Sequence, residues 1–234
     1  MNHFLLIFSI IFLNACEADM KTETSSQLQT SIVEAVKTNQ LAEVESLLKN
    51  GVNVNSKDKN AKSLLLIATQ SRYIEMAKLL VNNGADVNLQ DDIFDSPFLY
   101  AGAAGYTELV QLFLEHGARF DVYNRYHGTA LIPACERGHL DVVKLLSGTP
   151  KFPINHINRL GWTALMEAVV LGNGSEVYVE IVNTLIKAGC DINIPDKDNV
   201  TALEHAKARG YTAIAQVLEN AGKRQTQKKS SLPN

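Results

Sequence analysis

Three glycines, Gly51, Gly84 and Gly117, stand 33 residues apart twice in succession. A hydroxyl residue keeps the same beat at Thr30, Ser63, Ser96 and Thr129, then returns after longer intervals at Thr163 and Thr201. A fixed period of this length means supersecondary units stacked side by side. Such a stack presents a long surface for holding another molecule and no obvious place for chemistry.

Aligning the hydroxyl residues predicts six helix pairs. In the fourth, Thr129 has the side chain to cap a first helix running to Arg137. Gly138 lets the chain turn back with positive φ. Val142, Val143, Leu145 and Leu146 give the second helix an apolar stripe. Helices of two or three turns do not hold alone in water, so stability must come from stacking each pair on its neighbours. Between pairs, Asn55, Asn88, Asp121, Asn155 and Asn193 share one register, and Asp58, Asp91, Asn124, Asn158 and Asp196 share another. Short Asx side chains bond nearby backbone and favour tight turns, so both series read as folding features rather than catalytic acids.

These residues resemble the ankyrin repeat. Thr129-Ala-Leu, Thr163-Ala-Leu and Thr201-Ala-Leu are similar to its T-P-L-H start, Gly138-His-Leu-Asp-Val-Val-Lys-Leu-Leu to G-H-x-E-V-V-K-L-L, and Gly84-Ala-Asp-Val-Asn and Gly189-Cys-Asp-Ile-Asn to G-A-D-V-N. The resemblance covers residues 28–222 and implies an all-α solenoid of six stacked helix pairs joined by β-hairpin loops. The family's histidine is absent from every start, replaced by Leu66, Leu99, Ile132, Met166 and Glu204, and packing is expected to take over from the lost hydrogen bond. Two units depart from the period. The fourth has one extra residue around 147–153, where its second helix is expected to end early in a Pro-bounded loop. The fifth has five extra near 172–178, read either as a binding loop or as drift in a tolerant connection.

The first 15 residues read as a leader. Phe4–Leu13 is an apolar run too short to span a bilayer as a helix but suited to a signal-peptide core. Leu13-Asn14-Ala15-Cys16 resembles the lipobox of bacterial lipoproteins, which implies lipidation of Cys16 and, with Glu17 following, outer-membrane sorting. The leader has no Lys or Arg, and simple secretion after cleavage near Ala15 stays open. Residues 16–27 read as the lipidated Cys and a polar tether, whose 17–27 stretch reaches at most ~35 Å when extended. Residues 223–234 read as a basic disordered tail. Net charge is −3, and the tail's Lys223, Arg224, Lys228 and Lys229 leave −7 on the rest, which argues against nucleic acid as a partner.

Cys135 and Cys190 occupy small-residue positions of the repeat and read as core residues, without metal-ligand spacing. His139 reads as structural, and His127 and His156 lie near loop tips. No nucleophile elbow, H-E-x-x-H helix or phosphate-cradling loop occurs, so neither an enzyme nor a cofactor is expected.

The resemblance implies that partners bind the loop tips and the concave face of the first helices. Carried over residue by residue, that face comprises Ile93, Tyr123, Arg125, Tyr126, Ile157, Arg159, Leu160 and Trp162 at the tips, with Glu136, Arg137, Val170 and Leu171 on the helices. Tyr, Trp and Arg together are the composition of interface hot spots. The expectation is a monomeric, lipid-anchored periplasmic module that binds a protein. Its concrete form is an immunity-type inhibitor of a secreted antibacterial toxin such as a lipase. The alternative is a structural or stress-related scaffold supporting an envelope or oxidative-defence enzyme.

Overall fold

The computed structural model describes residues 27–230, so the leader, Cys16 and nearly all of the tether lie outside the described residues. The chain divides into two compact units, which meet in sequence at Asp86 and Val87. The first contains α1 (27–37), α2 (Leu41–Lys49), α3 (Leu64–Gln70) and α4 (Ile74–Asn82). The second contains α5 (Pro97–Ala104), α6 (Thr107–Glu115), α7 (Leu131–Glu136), α8 (Leu140–Gly148), α9 (Ala164–Val170), α10 (Glu176–Lys187), α11 (Ala202–Ala208) and α12 (Thr212–Ser230). Odd-numbered helices open each pair and even-numbered helices close it.

Packing follows the period. In the second unit α5, α7, α9 and α11 pack in succession, and α6, α8, α10 and α12 form a parallel layer behind them. The interior is continuous along the layers: Leu99, Leu131, Cys135, Leu146, Met166, Ala168, Ile181 and Leu218 are all buried. Because most of these helices have only six to nine residues, neighbour burial rather than intrinsic helicity holds them. Phe98, Phe120 and Phe152 run beside this core with ring centroids 6.3 and 4.9 Å apart.

The hydroxyl beat is a row of helix caps with two exceptions. Ser63, Ser96, Thr163 and Thr201 accept from the backbone N–H three residues on, and Thr201 adds a reciprocal capping box with Glu204. Thr30 instead lies inside α1. Thr129 makes no cap bond, and α7 starts two residues later. The reason is Pro133: elsewhere the N–H four residues past the cap donates to the cap carbonyl, as Glu167 does to Thr163, but proline has no N–H to give. The four apolar replacements of the family's histidine are buried, and the fifth, Glu204, closes the capping box.

The connections are tight turns rather than extended hairpins: among the described residues there are no strands, only an isolated bridge between Lys57 and Ser63. The second Asx series builds these turns. Asp58, Asp91, Asn124, Asn158 and Asp196 each accept two backbone N–H groups through Oδ1, from the residues two and four positions on. Three of the first series do something other than local turn-making. Asn55 accepts from the Asp86 N–H, Asn88 from Arg119 and Asn155 from Asp191, so these side chains tie one repeat to the next.

Both irregular units keep their helices. α8 runs nine residues to Gly148, as long as α4 and α6, so it does not end early; the extra loop residue instead accompanies burial of Phe152. The five-residue insertion lengthens α10 to 12 residues and seats Tyr178, whose hydroxyl donates to the Glu136 carbonyl at the end of α7. Gly172 is required there, because a Cβ would stand 2.2 Å from the Ala168 carbonyl oxygen. Residues 223–230 also differ from expectation: they continue α12 instead of leaving it. The stretch contains good helix formers and no proline.

Candidate protein-binding groove

Within the second unit, α5, α7 and α9 floor a groove of about 430 Å³, with the turns at 91–95, 124–128 and 158–162 forming one wall. The floor residue is the one four positions past each hydroxyl: Tyr100, Pro133 and Glu167. Ala103, Ala104, Glu136, Arg137 and Leu171 line the opposite side.

Hydrogen bonds between successive turns stiffen the wall. Gln90 donates to the carbonyls of Phe94 and Tyr123, the Arg159 N–H donates to the Tyr126 carbonyl at 2.8 Å, and Lys197 reaches the Arg159 carbonyl at 2.8 Å. His156 Nε2 lies 2.7 Å from the His127 carbonyl oxygen, and its ring stacks on Tyr123 at 4.5 Å. A wall tied at several points loses little conformational freedom when a ligand docks, which favours affinity.

Of the twelve residues anticipated for the binding face, Arg125, Tyr126, Glu136, Arg137, Leu160 and Leu171 come together around this groove. Ile93, Ile157 and Arg159 are exposed at the tips, outside the lining. Tyr123 is half-buried in a three-ring cluster with His127 and His156, and Trp162 is half-buried, its backbone closing the Asn158 turn. Val170 is a correction: only 8% exposed, it belongs to the core and is unavailable to a partner. Cys135 and Cys190 are free and buried, and burial pushes both thiols up, Cys190 to about 12.

Sequence reasoning passed over Tyr100, Pro133 and Glu167, although the period marks them as equivalent. It also passed over Phe94, which is 57% exposed at its turn.

The groove combines apolar contact with an unusual charge arrangement. Tyr126, Leu160 and Leu171 are about half exposed. Arg125 lies 3.8 Å from Asp95 and 5.6 Å from the Tyr126 ring centre. Arg137 donates to the Ala103 carbonyl at 2.7 Å. Glu167 is 4% exposed and takes one hydrogen bond, from Asn158 Nδ2 at 2.8 Å. Burial, reinforced by the neighbouring Glu136 carboxylate, raises its pKa from the ordinary 4.5 to about 7. Among the described residues no group of three or more His, Cys, Asp or Glu is placed to hold a metal.

The family model described as ankyrin repeats (3 copies) matches residues 2–91 and 98–196, most of the chain. The chain belongs to the ankyrin repeat family. It is similar to the ankyrin repeat protein YahD of Escherichia coli (strain K12), at 43% identity over 42% of this chain and 49% of YahD, so it spans about half that relative's length. The ankyrin repeat domain from Acinetobacter baumannii AYE (ABAYE2397) superposes with a TM-score of 0.80 at 43% identity, covering 82% of this chain and 97% of that one. The ankyrin repeat protein EF0377 superposes with a TM-score of 0.78 at 41% identity, over 81% and 96% of the two chains. The fold is thus an all-α ankyrin-repeat solenoid, and ankyrin repeats are protein-interaction modules.

Proposed function

We propose that the α5–α7–α9 groove is the surface through which this ankyrin protein holds its protein partner, and that it acts by occupancy rather than catalysis. One observation carries the reading: Tyr126, Leu160 and Leu171 stay exposed around a groove whose wall is already tied in place. Apolar side chains that a fold leaves exposed around a concavity mark an interaction site. The test is partner capture from native cells by the full chain, by the Tyr126→Asp/Leu160→Asp variant, and by Glu180→Arg on α10 as a control. The groove variant is expected to lose at least about tenfold in affinity for the captured protein while the control keeps it. Equal capture by all three contradicts the proposal.

The finer reading places this module in a bacterial envelope, anchored through Cys16, as an inhibitor of a secreted antibacterial protein. Its support is the leader and lipobox-like sequence together with a short tether that would hold the groove near the membrane. Cys16→Ala should then move the chain out of the membrane fraction, and cells lacking the chain should lose viability beside sibling attackers. Unchanged fractionation removes the anchor, and unchanged survival leaves the scaffold reading in its place.

A further inference from the structure

The groove's charges do not cancel internally. Asp95 and Arg125 pair with each other at 3.8 Å. The Arg137 guanidinium lines the same groove but is engaged at the Ala103 carbonyl, and it makes no ion pair with Glu136 or Glu167 among the described residues. The Glu136 carboxylate has neither hydrogen bond nor ion pair among the described residues, and the Glu167 carboxylate has only the bond from Asn158. Two carboxylates therefore line one groove, one of them 96% withdrawn from solvent, with no ion pair to either among the described residues.

Burying a carboxylate without a cation is costly, and a second one beside it adds to the cost. The raised pKa of Glu167 registers both effects. An incoming cation would relieve them. The surroundings suit a flat cation on an apolar stem: Tyr100 and Tyr126 bring aromatic rings to the lining, the latter already drawing the Arg125 guanidinium, Pro133 lies on the floor, and Leu160 and Leu171 are apolar flanks. A guanidinium stacks on aromatic faces and bonds carboxylates in a planar fork, whereas an ammonium does neither as well.

We propose that the groove receives an arginine side chain of the partner, its guanidinium set against Glu167 and Glu136 and the partner's flanking apolar residues against Tyr126, Leu160 and Leu171. The proposal rests on the groove being the partner-binding surface, and adds the chemistry of what enters it.

The experiment is selection of a displayed library of random peptides on the full chain. The winners are then measured against the wild type, Leu160→Asp and Glu167→Gln, each as the arginine peptide and with that arginine replaced by citrulline, a neutral near-isostere. The expected result is enrichment for arginine, with at least about a tenfold loss on either the citrulline exchange or Glu167→Gln. The citrulline arm leaves the protein untouched, so a folding defect in a variant cannot imitate the result. Peptides that need Leu160 but carry no arginine, or bind Glu167→Gln equally, overturn the arginine assignment and leave the groove as the binding surface. Dimerisation of the chain that Leu160→Asp abolishes overturns it by giving the groove to a second copy. Failure to select any peptide that needs Leu160 overturns both readings.

Discussion

At the residue scale, Glu167 is where binding surface and stability meet. Its carboxyl titrates near pH 7 in the folded chain and near its ordinary 4.5 when unfolded. Below pH 4.5 both states hold the proton and no penalty exists. Between pH 4.5 and 7 the unfolded state releases the proton first, so stability falls as pH rises, and above pH 7 the penalty is complete. Glu167→Gln keeps the oxygen that accepts from Asn158 and removes the titration. Denaturant unfolding should show the two proteins equal near pH 4 and the variant more stable by about 3 kcal/mol at pH 8, since each pH unit between 4.5 and about 7 is worth about 1.4 kcal/mol. A constant difference across that window would assign the effect to packing. Asp196 behaves oppositely: the hydrogen bond from His205 at 2.7 Å holds its pKa low, so its contribution is present above the unfolded pKa and is lost as pH falls. Taking the difference between variant and wild type cancels that background.

At the scale of the element, the repeated turn carries both the regularity and its strain. Its fourth residue is left-handed in every copy: Ala61, Phe94, His127, Gly161 and Asn199, at φ between 58 and 90°. A phenylalanine there costs about 1–2 kcal/mol relative to a residue without Cβ, partly offset by the greater freedom glycine would have when unfolded. Phe94→Gly should therefore stabilise the chain by about 0.5–1 kcal/mol, read as a small rise in the thermal midpoint. A fall would mean that Phe94 packs more than its exposure implies. Such turns were legible in the sequence because an Asx side chain acts on its own neighbours, and local chemistry leaves a local mark. The bonds of Asn55, Asn88 and Asn155 were not, because each reaches a backbone 31 or 36 residues away. Thr129 misled for a related reason: the proline that removes its helix start sits four positions on. The insertion at 172–178 could be counted, but its use in lengthening α10 and seating Tyr178 depends on the end of the preceding α7.

At the scale of the whole molecule, stacking explains how short helices produce a usable site. Each pair buries its apolar side on the next, so the first helices of the second unit lie in a row and the residues at the fourth position past the cap line a common floor. The tip residues Arg125, Tyr126 and Leu160 were legible as exposed because the repeat dictates which positions face outward. The floor was not, because a groove exists only where three neighbouring repeats meet and its character comes from which residues the floor happens to hold. There, Tyr100, Pro133 and Glu167 replace what uniform repeats would keep alike. The direct measurement is a crystal structure of the full chain with a peptide selected on it. The peptide should lie along α5, α7 and α9 with a guanidinium within hydrogen-bond distance of the Glu167 carboxylate. A peptide seated instead on α6, α8 and α10, with the groove empty, would contradict the account.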